Sequence, residues 1–290
     1  MLISVIVPTY HRNDLLSQCL DHLSPQVQTL SADQYEVVVT DDGSQTTAKA
    51  LICERYPWAR WIEGPHQGPA ANRNFGARNA CAPWIAFTDD DCVPGPHWLQ
   101  AFASSIRPEG EVYEGKTTSD VPYDALVGEA PVNLTGGNLW SCNLLIAARL
   151  FESVGGFDES FPFAYNEDAD FRERLRSQGH ALFFVSDAIV DHPVRPRKMG
   201  VAYGEQVESS VLLWYKAGHR GIVWPRLIKH VIAVRLLPIL RQRPFRKSSG
   251  VALQAFFVEL FYVAWHSPAW IHKYYLKYRD LPPAYPLRQF

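Results

Sequence analysis

Four short runs rich in β-branched and aromatic residues, LISVIV, EVVVT, RWIE and WIAFT, punctuate the first ninety residues. Segments of a different rhythm lie between them. Leu15, Leu16, Cys19, Leu20 and Leu23 recur at helical spacing, with Asn13 or Asp14 placed to cap that helix, and DDGS makes a turn before a helix over roughly Thr46 to Tyr56. Strand, helix, strand in series requires right-handed crossovers and a mainly parallel sheet flanked by helices, a Rossmann-like α/β class.

Open parallel sheets bind ligands beyond the carboxyl ends of their strands. Thr9, Tyr10 and Arg12 follow the first run, Asp41 and Asp42 end the second, and Asp89, Asp90 and Asp91 follow WIAFT. All fall at one edge. Two adjacent unit charges repel by roughly 1 kcal/mol in water and about 4 at a protein surface, so three successive carboxylates need a cation. If TDDD continues extended, Asp89 and Asp91 project to one side and Asp90 to the other. Such an oxygen pair suits Mg²⁺ or Mn²⁺ carried with a phosphate. A solvated turn capped by aspartates is the blander reading, and the strand-end position argues against it.

Three later stretches carry further chemistry. GPAANRNFGARNA offers Gly68, Arg73 and Asn74 at a helix start that suits phosphate, without a dinucleotide fingerprint; a plain surface helix fits it nearly as well. In NEDADFRERLRSQG, a helix beginning near Asp168 puts Asp168, Phe171 and Leu175 on one face, and Gly179 stops it. Asp168 is then either an N-cap or a general base. ALFFVSDAIVDHPVR reads as strand ending at His192.

Charge divides the chain. Residues 1–208 carry 15 Lys/Arg against 28 Asp/Glu, whereas 209–290 carry 13 against 2, with no acid from Ser209 to Val258. We expect a catalytic domain over 1–208 and a basic, amphipathic, mostly helical region over 209–290. VALQAFFVELFYVAW, broken by Gln254 and Glu259, falls short of the ~18 to 20 uninterrupted apolar residues of a membrane span. An in-plane helix on an anionic membrane follows, with packing on the acidic domain or a homo-oligomer interface as the alternatives. No nucleic-acid motif accompanies the basic stretch, so no nucleic-acid partner is expected. Cys19, Cys53, Cys81, Cys92 and Cys142 are odd in number and form no C-x-x-C pair. That argues against a disulfide framework and a zinc site, and for a reducing, cytoplasmic setting.

SVIVPTYHR, EVVVTDDGS, AANRN, IAFTDDD, VGGFDESF, NEDADFRERLRSQG and the later His192, in that order, resemble the family 2 glycosyltransferases of GT-A fold. The likeness covers roughly residues 2–195. It implies an inverting enzyme with a nucleotide-sugar donor, a UDP-sugar being favoured, a Mg²⁺ or Mn²⁺ ion, and a glycan or lipid-linked acceptor. Pro8, Thr9 and Arg12 would border the nucleoside, and Asp42, with Asp41 beside it, would contact the base. Arg73 and Asn74 match an Ala-Arg-Asn stretch near the donor, with Asn72 where alanine is usual. Asp89 and Asp91 would be the outer members of the DXD motif and bind metal, Asp90 lying between them on the donor side. Asp168 would be the catalytic base, Glu167 its acceptor-side neighbour, and His192 would complete the metal or diphosphate site. Acceptor choice would rest on the surroundings of Trp140, Asn143 and Phe157 to Tyr165.

Two other functions share some of these residues. A sugar nucleotidyltransferase needs a glycine-rich loop after the first strand, and PTYHRND has no glycine. A non-catalytic nucleotide-sugar-binding scaffold has no need of both the triple aspartate and NEDAD.

Overall fold

The computed structural model describes the chain apart from Arg243, Phe245 and residues 286–290, so two of the C-terminal basic residues, Arg243 and Arg288, lie outside the described residues. Contacts group the chain into two compact units. The first comprises Met1–Val121, Ala130–Ser160 and Glu167–Pro193. Numbered along the chain, its strands are β1 (Ile3–Thr9), β2 (Tyr35–Asp41), β3 (Ala59–Glu63), β4 (Trp84–Phe87), β5 (Val93–Pro94), β6 (Val112–Ser119), β8 (Leu144–Ala147) and β9 (Phe183–His192). Its helices are α1 (Asn13–Leu23), α2 (Lys49–Arg55), α3 (Pro69–Arg78), α4 (Trp98–Ser105), α5 (Ala148–Ser153) and α6 (Glu167–Ser177).

The eight strands form one sheet in the order β3-β2-β1-β4-β8-β6-β9-β5. The first four are parallel, as is the β6 to β9 pair, and β8 and β5 run antiparallel to their neighbours. A mainly parallel GT-A-like sheet is therefore what the alternating runs build. Alternation within β1 shows why it is central: Ile3, Val5 and Val7 enter the core shared with Leu16, Leu20 and Trp98, while Ile6 enters the opposite core with Phe87, Phe157 and Phe171. A sheet covered on both faces leaves only its strand ends open to chemistry.

Several local expectations change. Asn13 is the first residue of α1 and caps nothing; its Nδ2 donates to the Thr47 carbonyl at 3.2 Å instead. The second helix begins at Lys49, because Asp41 accepts the N–H groups of Gly43 and Ala48 and holds the intervening residues as a loop. TDDD does not continue as strand. After Phe87 the chain turns, and the Cys92 N–H donates to the Asp89 carbonyl at 3.1 Å. The strand-alternation argument for Asp89 and Asp91 thus does not apply.

The second unit comprises Pro122–Glu129, Phe161–Asn166 and Val194–Phe290. A two-stranded antiparallel ladder joins β7 (Gly128–Glu129) to β10 (Arg195–Pro196). Its helices are α7 (Val201–Lys216), which runs unbroken past residue 208, α8 (Val223–Val231), α9 (Leu237–Arg241) and α10 (Lys247–Tyr278). A π-helical turn, Ile232–Leu236, connects α8 to α9. Gln254 and Glu259 shorten the apolar run in the sequence but do not interrupt α10. This 32-residue helix is, by length and composition, long and apolar enough to cross a membrane.

Candidate active site

Parallel register brings the strand ends together. Thr9 pairs with Asp41 and Ile6 with Phe87, so the segments after β1, β2 and β4 leave the sheet side by side. The fourth contributor arrives by another route. β5 pairs antiparallel with β9, Val93 opposite Asp191, which sets His192 beside the residues just before Val93.

The three successive carboxylates part company and find two arginines. Asp90 is fully buried, accepts the Thr9 hydroxyl at 2.7 Å and pairs with Arg12 at 2.9 Å. The same guanidinium reaches Asp91 at 3.3 Å. Asp89 pairs with Arg73 at 2.6 Å. Burial pushes Asp90 up to about 7, Arg12 and Thr9 opposing it. Asp91 also meets His192 Nε2 at 3.5 Å, and the ligand atoms of Asp91, Cys92 and His192 all lie within 4.8 Å of one another. Burial raises the Cys92 thiol well above its ordinary range, so it remains protonated beside a carboxylate and an imidazole.

Arg73 joins this cluster to NEDAD. Its second nitrogen lies 3.6 Å from Glu167, the first residue of α6, with both side chains almost fully buried. Burial acts against the Arg73 charge, but Asp89, Asp168 and Glu167 surround it and hold it protonated. Asp168 sits at the top of the face whose next members, Phe171 and Leu175, are wholly buried. Its Oδ2 accepts the Ser141 N–H at 3.2 Å and hydroxyl at 3.4 Å, whereas its Oδ1 is buried with no hydrogen-bond partner among the described residues. Burial raises its pKa, with Arg73 and the Ser141 N–H pulling the other way.

Burial and the adjacent Asp168 push Glu167 up to about 8, Arg73 opposing. The folded chain therefore keeps a proton on Glu167 that the unfolded chain loses near pH 4.5. Fewer protons bound by the unfolded state means that stability falls as pH rises from about 4.5 to about 8, by at most about 1.4 kcal/mol per pH unit for this one group. Urea unfolding across that window should show this decline, and Glu167→Gln should flatten it. An equally steep decline in the variant would refute the assignment.

Other expected residues lie around the cluster with partners of their own. Pro8 is buried within β1, paired with Thr40. Asp41 uses its carboxylate on Gly43, Ala48 and the Trp61 indole N–H, the last at 3.1 Å. Asp42 accepts the His66 N–H at 3.0 Å and stands at the strand end. Asn74 donates to the Phe157 carbonyl and to Glu159 and accepts the Phe157 N–H, so its amide fixes that loop. Asn143 is also structural. It bridges the Lys116 and Ala188 carbonyls at the β6 to β9 register shift and accepts the Trp98 indole N–H, leaving nothing for an acceptor. Asn72, where alanine is usual, ties β1 to β2 by donating to the Thr9 and Thr40 carbonyls. Ser141 and Cys92 escaped the sequence reading. Cys92 adjoins the triple aspartate and could have been found; nothing in SCN marks Ser141.

Known proteins resemble this chain in sequence and in fold. Residues 4–117 match the family model Glycosyl transferase family 2. Across 292 aligned residues the chain is 27% identical to Glycosyltransferase AglE of Haloferax volcanii, covering 91% of each protein. Among solved structures, S. aureus TarS 1–349 in complex with UDP-GlcNAc superposes with a TM-score of 0.60 at 18% identity, covering 97% of this chain and 92% of that one. The mannosyltransferase PcManGT from Pyrobaculum calidifontis, in complex with GDP-Man and Mn²⁺, gives 0.58 at 18% identity, covering 96% and 87%.

Proposed function

We propose that the chain, whose residues 4–117 match the family model Glycosyl transferase family 2, acts as a glycosyltransferase of that family and moves a sugar, with inversion, from a UDP-sugar to a hydroxyl of a lipid-linked or polysaccharide acceptor. Asp168 carries this reading. One of its oxygens is pinned by Ser141, and the other is buried without a hydrogen-bond partner among the described residues, placed to receive a hydroxyl proton. Burial and the nearby negative charge of Asp89 raise its proton affinity above that of an ordinary surface aspartate around neutral pH, and Arg73 opposes that rise. Glu167, protonated over the same range, serves as a hydrogen-bond donor on the acceptor side.

The residues fit a divalent cation. Asp91 and His192 supply an oxygen and a nitrogen close together, while Asp89, the other carboxylate expected to bind metal, is paired with Arg73. Oxygen and imidazole suit Mg²⁺ or Mn²⁺ better than the protonated Cys92 thiol suits a softer ion. When bound, the cation supplies charge neutralisation for the departing diphosphate. Arg12 orients Asp90 and Asp91, Thr9 fixes Asp90, and Asp42 at the neighbouring strand end recognises the base. TarS binds UDP-GlcNAc and PcManGT binds GDP-Man with Mn²⁺, which supports the donor class and the metal.

A thermal-shift panel of UDP-glucose, UDP-galactose, UDP-GlcNAc and GDP-mannose, with and without Mn²⁺, tests the reading. One UDP-sugar should raise the melting temperature only when Mn²⁺ is present. In a donor-hydrolysis assay, EDTA should lower the rate by about 10² or more and Mn²⁺ should restore it. Full activity in EDTA would remove the metal, and indifference to every donor would remove the transfer.

A further inference from the structure

α10 is amphipathic in the wrong sense for water. The side it turns into its own unit carries Ser249, Glu259 and Ser267, all fully buried, together with Phe256 and Val263. The side it turns outward carries Phe257, Val258, Leu260, Phe261 and Trp265, with Phe261 72% and Trp265 73% exposed. Phe257, Phe261 and Trp265 recur every fourth residue, so the outward side is one continuous stripe. α8 repeats the pattern: Trp224, Ile228 and the following Ile232 are exposed at the same spacing. A soluble monomer seldom leaves a stripe of this kind uncovered.

We propose that this surface docks on an anionic lipid bilayer, with α10 lying in the plane of the membrane. Two observations select that occupant. The stripe is set in the most basic part of the chain, Lys229, Arg241, Arg246 and Lys247 being exposed and no acid occurring from Ser209 to Val258. Like charge disfavours a second copy of the same face, and exposed aromatics beside lysine and arginine match the headgroup and acyl boundary. Spanning is disfavoured by the inward side. Glu259 accepts Arg235 Nε at 2.7 Å and the Gly200 N–H at 3.0 Å, and drawing α10 out into lipid would strip that carboxylate of both. The helix is about 48 Å long at 1.5 Å per residue, so it lays a long contact along the surface. This inference stands on the second unit alone and does not depend on the sugar donor or the base.

Co-sedimentation of the full chain with extruded vesicles tests it. Vesicles of phosphatidylcholine mixed with phosphatidylglycerol should bind it about tenfold better than phosphatidylcholine alone, and salt should weaken the binding. The combined variant Phe257→Ser, Phe261→Ser and Trp265→Ser should lose about tenfold or more of that binding while keeping the wild-type helical circular dichroism, which shows that it is folded. Failure to sediment with anionic vesicles at low salt overturns the proposal. So does retention after alkaline carbonate extraction, which would make α10 a span. A stable dimer that the triple substitution dissociates would assign the face to a second copy and overturn it equally.

Discussion

Asp168→Asn lowers the rate of sugar transfer by about 10² to 10⁴ and leaves donor affinity within about twofold. Asparagine keeps the shape of the side chain and can accept the Ser141 N–H in place of the carboxylate. What it cannot do is take a proton from an acceptor hydroxyl. The substitution also removes the neighbour that helps to keep Glu167 protonated, so Glu167 becomes the more acidic group and remains paired with Arg73. The site therefore stays occupied by opposite charges, and the protein should unfold at nearly the wild-type denaturant concentration. Initial transfer rates, set beside calorimetric titration with the donor, separate the two effects. Turnover at the wild-type rate would take the base from Asp168.

Arg73→Met destabilises the fold by about 3 to 5 kcal/mol at pH 8, because it leaves Asp89, Glu167 and Asp168 without their shared buried cation. The loss should be smaller at pH 5.5. Without the guanidinium all three carboxyl pKa values rise, the folded state holds more protons than the unfolded one, and stability declines as pH increases. Arg73→Lys should recover only part of it. A single ammonium cannot reach Asp89 at 2.6 Å and Glu167 at 3.6 Å with two differently directed nitrogens, as the planar guanidinium does. Urea unfolding at the two pH values measures all of this. Equal stability of Arg73→Met and wild type at pH 8 would show that the three acids are neutralised some other way.

Much of the catalytic unit was legible from residue pattern. β-branched runs bounded by turn residues can be little else than strands, and their acids at successive carboxyl ends had to share an edge. What a linear reading could not supply was direction within that edge. Asp89, Asp90 and Asp91 were separated on the assumption of continued strand, and a turn closed by Cys92 sends Asp89 to Arg73 and the other two to Arg12. Side-chain amides were the hardest to place. Asn74 and Asn143 have the chemistry of ligand contacts, and both are consumed by backbone groups from segments 27 to 83 residues away along the chain. Ser141 acts through a backbone N–H, which every residue but proline possesses. In α10, the glutamine and the glutamate that interrupt an apolar run in one dimension lie on different sides of a helix in three, so run length understated how apolar one side is.

The two-residue pairing of Val93 with Asp191 and Pro94 with Val190 has a kinetic consequence. Asp91 and His192 are about 100 residues apart, and loop closure over such a span is slow and is rewarded only when the pairing forms. Arg12 reaches Asp91 across 79 residues of chain, a closure of similar cost, so the acids gain their cations and the imidazole only as the whole sheet assembles. The divalent cation proposed for Asp91 and His192 should therefore be captured tightly only once β5 has paired with β9, which makes metal affinity a report on that pairing.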